Sequence, residues 1–505
     1  MRQTLFSQFA LLLLFVLSFS FADEKEWFVP LGMPPKAKPR RISGGEGFPP
    51  LPLPVTPLRR SERKREPSSP KLFGKVIWGE TATFQDDQGQ SQKYADWNLC
   101  PDDLGQLFRK VKQGNLGLDY SNDPLDLNSF SGSPEEMPVL FFSGTRTIRL
   151  GKTQLDLLRS YTLKGGMIVF DSIAGSPYFY ASAKKLLSDM LPEFSIRTIP
   201  LDHPLYRIVY SINKIKIPKA PEVSAPLMEG IYIGCRIGVL LSPYGMGCGW
   251  DNHEVPHIEK AKYYDIDSAN RLGVNIVAYS VAYSHVGRTE ARSELFGTLD
   301  EKPATDEFVF AQIKHKGAWN VHPGSAISLL TKIRQDTSIK VSLKRIPVSP
   351  GKDDLSSFTF LYLTGLDDFQ WDETEVKAIR NFLNASGTLF INNGLGMQTF
   401  DRAVRREIQK VLPEGKLSII PLSHPLYSSF FTIRELDYTP ETTPWSKNRK
   451  PCLEGIGIAH DLRILYSPVD MEAHWQGCDH VLCRGYQMQS AMQMGFNIIV
   501  YSLTH

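Results

Sequence analysis

Excess charge of one sign is what this 505-residue chain lacks most plainly: 57 Lys and Arg stand against 54 Asp and Glu, leaving a formal charge of +3. With no basic stripe inside the regions that read as folded, nucleic acid is not an expected partner. Long apolar runs are missing too. The longest, Phe9 to Phe21, falls short of the roughly 20 residues a spanning helix needs, which argues against a retained anchor. No cysteine follows that run, so a lipid-modified anchor is not expected. Cysteine is sparse: Cys100, Cys235, Cys248, Cys452, Cys478 and Cys483 are all there is. The even count fits an oxidising compartment. Six thiols allow many pairings, and buried reduced thiols fit as well, so no connectivity follows.

What is present reads as a globular protein, with 42% hydrophobic and 22% charged residues. The length suits two domains plus extensions, at roughly 150 residues per domain. Arg2, the apolar run and Ser20-Phe21-Ala22 before Asp23 predict a signal peptide over 1–22, hence export to the periplasm or beyond. Residues 23–70 are rich in Pro and basic side chains, as in Pro49-Pro50-Leu51-Pro52 and Arg59-Arg60-Ser61-Glu62-Arg63-Lys64-Arg65, and predict an extended spacer. Its basic cluster could touch anionic lipid or cell-wall polymer, but a solvated linker explains it as well. Membrane contact is expected only through these two segments.

An internal repeat organises the rest. Val139-Leu140-Phe141-Phe142-Ser143-Gly144 answers to Phe360-Leu361-Tyr362-Leu363-Thr364-Gly365, and Gly165 to Asp171 answers to Ser386 to Asn392. His203-Pro204-Leu205-Tyr206 matches His424-Pro425-Leu426-Tyr427, Trp250 matches Trp475, and Gly273-Val274-Asn275-Ile276 matches Gly495-Phe496-Asn497-Ile498. Each copy alternates short apolar runs with amphipathic stretches such as 153–164 and 372–383. That is the pattern of parallel strands joined by crossover helices, and the fold class is α/β with mainly parallel sheets. The domains fall at 71–285 and 307–505, with a polar linker over 286–306.

These motifs, with the Trp97 and Trp319 segments, resemble the bacterial family of domains of unknown function numbered four-one-five-nine, and both halves match. The resemblance implies a fold similar to class I glutamine amidotransferases, a flavodoxin-like layered sheet, and no established activity. In that family the domain sometimes follows membrane-anchored segments of the aerotolerance type, which implies location rather than chemistry. The family pattern has an Asp-Asp pair where these strands end. Here the pair reads Asp171-Ser172 and Asn392-Asn393, which tells against a reaction needing two carboxylates.

Ligands of open α/β sheets sit at the carboxyl ends of strands, which makes Gly144, Gly365, Asp171 and Asn392 candidate contacts. Short polar side chains there also cap turns. Amidotransferase-like chemistry needs a thiolate at the sharp strand-to-helix turn, and neither copy has a cysteine there. Ser172 with His203 as base is the remaining nucleophile, but the second copy keeps only the histidine. His203 and His424 each precede a proline, and a structural imidazole explains them as well as catalysis does. Trp97, Trp250, Trp319 and Trp475 suit stacking on a sugar or peptide, or core packing. His474, Cys478, His480 and Cys483 have ligand types that suit zinc, as do Cys248, His253 and His257 in the first copy, although the spacings match no standard site. No cofactor is called for. The expectation is a non-catalytic binding or assembly protein facing a cell-envelope polymer or protein. The alternative is a hydrolase-type enzyme with one site in the first domain, using Asp171, Ser172 and His203.

Overall fold

The computed structural model describes residues 24, 27, 69–85, 91–114, 116–218, 220–251, 260–291, 306–442, 445–458, 461–478 and 480–505. The signal segment, most of the Pro-rich stretch, His253 and His257 lie outside them.

The first copy contains β1 (Lys71–Val76), β2 (Thr81–Gln85), β3 (Ser91–Ala95), β4 (Ser121–Leu125), β5 (Val139–Gly144), β6 (Met167–Ser172), β7 (Arg197–Thr198), β8 (Glu229–Ile233) and β9 (Arg236–Ser242). Seven of these build one sheet in the order β4-β1-β5-β6-β9-β8-β7, while β2 and β3 pair apart from it. The second copy repeats the layout with β10 (Ala311–Ile313), β11 (Ile346–Val348), β12 (Phe360–Gly365), β13 (Thr388–Asn393), β14 (Ser418–Ile419), β15 (Glu454–Ile458) and β16 (Asp461–Ser467), in the order β11-β10-β12-β13-β16-β15-β14. In each sheet five strands run parallel, and the last two of the order add an antiparallel edge.

The register repeats as well. Val139 pairs with Met167 through to Gly144 with Ser172, and Phe360 pairs with Thr388 through to Gly365 with Asn393. All six residues of β5, β6, β12 and β13 are buried, because helices cover both faces. That is why these strands read as unbroken apolar runs rather than as alternation. The helices predicted beside them span Lys152–Leu163 and Glu373–Asn384. Asp372 starts the second by accepting the amides of Thr374 and Glu375, while Glu375 reaches back to the Asp372 amide.

The copies pack as one body. Arg197 pairs with Asp367 at 3.2 Å, Thr399 Oγ1 donates to Asp202 at 2.8 Å, and Tyr283 Oη donates to the Val481 carbonyl at 2.9 Å. One apolar cluster draws members from both copies, from Phe73 to Phe400. The last helix of the first copy runs from Ile266 to Glu290. Among the described residues no helix is long and apolar enough to cross a membrane.

Candidate functional site

Asp171 and Asn392 stand one residue before the ends of β6 and β13 at matching positions, but both point into the protein and both are fully buried. Asp171 accepts the amides of Met246 and Gly247, each at 2.8 Å, and so holds the start of the short helix Gly247–Trp250. Burial pushes its carboxyl up to about 7, and the two amides only partly offset that. Asn392 accepts the Met471 amide at 2.9 Å and donates to Asp470 at 3.0 Å. Asp470 also takes the amides of Leu395 and Glu472 and lies 3.1 Å from His322 Nε2. Burial alone would raise the Asp470 carboxyl, but His322 and these donors hold it well below the usual carboxylate range. In the first copy Lys75 and Asp103 form a buried ion pair instead, with the Cys100 carbonyl as a further acceptor. The polar network under the strand ends is therefore structural scaffolding in both copies, with different members in each.

The sharp turn lies beyond these residues. Ala174 (φ 56°) and Leu395 (φ 53°) are in the left-handed region at equivalent places, between each strand and its following helix. A side chain there costs roughly 1–2 kcal/mol, and in α/β enzymes built on a nucleophile elbow such a turn presents the nucleophile. Here both side chains are apolar and buried. The turn thus falls a few residues past the pairs Asp171-Ser172 and Asn392-Asn393. Ala174→Gly relieves the strain at the expense of unfolded-chain entropy, so it should leave stability unchanged or raise it by up to about 1 kcal/mol. Leu395→Gly should destabilise, because it also removes a buried side chain. Urea melts of both variants check this, and a loss above about 1 kcal/mol in Ala174→Gly would contradict it.

The three residues of the enzyme alternative are not joined. Ser172 Oγ and His203 Nε2 are buried, and neither has a hydrogen-bond partner, so no Ser-His pair exists. His203 instead accepts the Leu205 amide on Nδ1 at 3.1 Å, capping the turn Pro204–Tyr206. His424 does the same for Leu426 at 3.2 Å. Proline at the first position of each turn suits it, since its missing amide has no partner to lose.

The other predicted contacts are largely packed. A Cβ on Gly144 would lie 2.3 Å from the Trp78 ring, and one on Gly365 would lie 2.4 Å from Phe400, so these glycines make room for aromatics rather than for a ligand. Trp250 and Trp475 are buried and donate to the carbonyls of Ala269 and Ala491. The closing motif explains itself around them. Gly273 and Gly495 admit the two indoles, and Asn275 and Asn497 clamp the loops that follow His-Pro-Leu-Tyr. Tyr279 and Tyr501 accept amides at the starts of β9 and β16. Trp97 is half-buried against the first core. Trp319, also half-buried, lines a pocket of about 370 Å³ between the copies with His315, Arg197 and Tyr232.

Open space at the strand ends is duplicated. Beyond β6 and β9 a crevice of about 610 Å³ is walled by Tyr178, Tyr180, Tyr244, Glu229 and Lys262. Beyond β13 and β16 the matching crevice of about 630 Å³ is walled by Asp401, Arg405, Glu454, Val469 and Arg484. Glu229 accepts from Tyr180 Oη at 2.6 Å and from Lys184 at 3.2 Å, whereas Glu454 takes two bonds from Arg405, at 2.8 and 2.9 Å. One crevice is thus aromatic and the other charged. The first also holds a piece of its own chain. Trp27 is buried at its edge among Leu99, Cys100, Ile173, Ala174 and Cys248. Its carbonyl accepts from Thr145 Oγ1 at 2.8 Å, and Glu24 accepts the Thr147 amide at 2.7 Å. The predicted spacer is therefore docked at these two residues, which the Pro-rich composition around them obscured.

His474, Cys478, His480 and Cys483 do not together form one metal-binding group. Among the described residues, the group close enough to share an ion is Cys235, His322 and His480, of which only His480 was foreseen. Cys483 lies 3.9 Å from Asp470, and Cys248 faces the Cys100 thiol at 3.5 Å. All six cysteines are free thiols and buried.

No curated protein matches the chain. The family model described as Domain of unknown function (DUF4159) matches it over residues 90–281 and again over 309–503, one match in each copy, and the chain therefore belongs to that family with two copies of its domain.

Proposed function

We propose that this is an exported, non-catalytic binding or assembly protein of the cell envelope, whose strand-end crevices take peptide segments of partner proteins. The observation that carries the reading is Trp27. A turn of the chain, closed by the Trp27 amide donating to the Glu24 carbonyl, already seats an indole and a carbonyl at the aromatic crevice, using Thr145 and Thr147 as hydrogen-bonding partners. A burial of this kind, an aromatic anchor with flanking backbone bonds, is how proteins commonly recognise peptides. The apolar residues at both sharp turns support the absence of acyl-transfer chemistry, since an activated nucleophile has nowhere to stand. The duplicated crevice with a charged lining supports a second, acidic or basic segment as its occupant.

The test is competition for the first crevice. A synthetic peptide copying residues 23–32 is titrated calorimetrically into full-length protein and into Trp27→Ala. Binding to Trp27→Ala, at least ~10-fold weaker in the wild type where the tethered segment competes, is the expected result. No binding to either protein would remove the peptide-binding reading.

A further inference from the structure

We infer that Cys235, His322 and His480 bind a zinc-class divalent ion that ties the two copies together. One atom from each side chain lies within 4.8 Å of the others, and all three residues are buried. Cys235 Sγ is 3.4 Å from His480 Nδ1. Two donors about 2.0–2.3 Å from a tetrahedral ion stand roughly 3.3–3.8 Å apart, so this pair already has the spacing of adjacent ligands. The His322 and His480 rings are 4.8 Å apart, centroid to centroid.

The surroundings fit an ion as well as the ligands do. Asp470 Oδ2 lies 3.1 Å from His322 Nε2, the carboxylate-histidine pairing that orients metal-bound imidazoles. Cys483 Sγ lies 3.9 Å from the same oxygen. A dication with the Cys235 thiolate and the Asp470 carboxylate sums to zero, which removes the net charge that would otherwise make burial costly. Thiolate with imidazole favours zinc over the oxygen-seeking cations. With every ligand buried, no position is left for substrate, and the ion's role is structural.

Placement gives the ion its effect. Cys235 lies in the turn between β8 and β9 of the first copy, whereas His322 and His480 belong to the second. Tyr283 donates to the Val481 carbonyl beside it. In the aligned segments of the first copy, Cys100 stands in place of His322 and Gly245 in place of Asp470.

Metal content of the full chain, purified with zinc and desalted, tests this by mass spectrometry. About one equivalent of zinc per chain is expected, absent from Cys235→Ser and His322→Gln but retained in Cys452→Ser, a buried cysteine elsewhere. Cobalt titrated into the chelator-stripped protein should show thiolate charge-transfer and tetrahedral bands, and chelation should lower Tm by roughly 5 °C or more. Because the cobalt spectrum is read on the wild-type chain, poor folding of the variants does not shield the proposal. Zinc below about a tenth of an equivalent with no cobalt–thiolate band would overturn it, as would full retention in Cys235→Ser.

Discussion

Lys75→Met should destabilise the protein by about 3–5 kcal/mol, the loss expected when one partner of a buried ion pair is removed. Lys75 and Asp103 are 3% and 1% exposed, and Lys75 Nζ sits 2.8 Å from both carboxylate oxygens and 2.7 Å from the Cys100 carbonyl. Burial pushes the Asp103 carboxyl up and Lys75 pulls it back, so without the lysine the acid has little choice but to take a proton. Removing both charges is a different matter. The second copy places Gln312 and Ser325 at the corresponding points of β10 and its following helix, so the fold does not require the pair. The double variant Lys75→Met/Asp103→Leu should therefore recover at least half of the single loss. A double-mutant cycle by urea unfolding measures the coupling, and additivity within about 0.5 kcal/mol would show that the two charges act independently.

Acid should expose His203. Burial, aided by Arg207, pushes its pKa down to about 3, from an ordinary value near 6.5 that it regains on unfolding. The folded state therefore binds fewer protons than the unfolded state between those values. The stability His203 contributes is complete above about pH 6.5 and is lost as pH falls toward 3, on the order of 3 kcal/mol by pH 4. Asp171 works in the opposite direction. With a folded value near 7 and an ordinary one near 4, its contribution is complete below pH 4 and disappears as pH rises through 7. Comparing variants with wild type isolates each slope. His203→Asn keeps an acceptor for the Leu205 amide and should grow more stable relative to wild type between pH 6.5 and 4. Asp171→Asn should lose relative stability over the same span, after an initial cost because one of its two amide bonds cannot be made. Denaturant midpoints at four or five pH values decide it; parallel curves for His203→Asn and wild type would mean that the imidazole titrates normally.

The duplication and the α/β class were readable because parallel strands buried on both faces leave a run such as Val139 to Phe142 with no polar interruption. The motif Gly-x-Asn-Ile was equally visible, yet its purpose was not, because the partners of Asn275 and Gly273 lie tens of residues away in the chain. The same limit governed the site. Asp171 was rightly placed at a strand end, but only the path of the chain shows that its carboxylate turns inward to Met246 and Gly247. A local window over 474–483 caught His480 and Cys483 and could not supply Cys235, which comes from the other copy. Trp27 went unread for a compositional reason: one anchored aromatic does not change the average of the polar, Pro-rich stretch around it.

The contacts between the copies bear on how a partner would be gripped. Arg197 with Asp367, Asp202 with Thr399 and a shared apolar interior join the two sheets side by side. If the crevices take peptide segments as proposed, two of them held side by side would behave as a caliper. A partner carrying two segments at the matching interval would gain from the second without a further search, while one with the wrong interval would be held by a single jaw. Selectivity would then reside in distance as much as in side-chain chemistry, and lengthening a partner's linker would weaken its hold with no residue of either crevice altered.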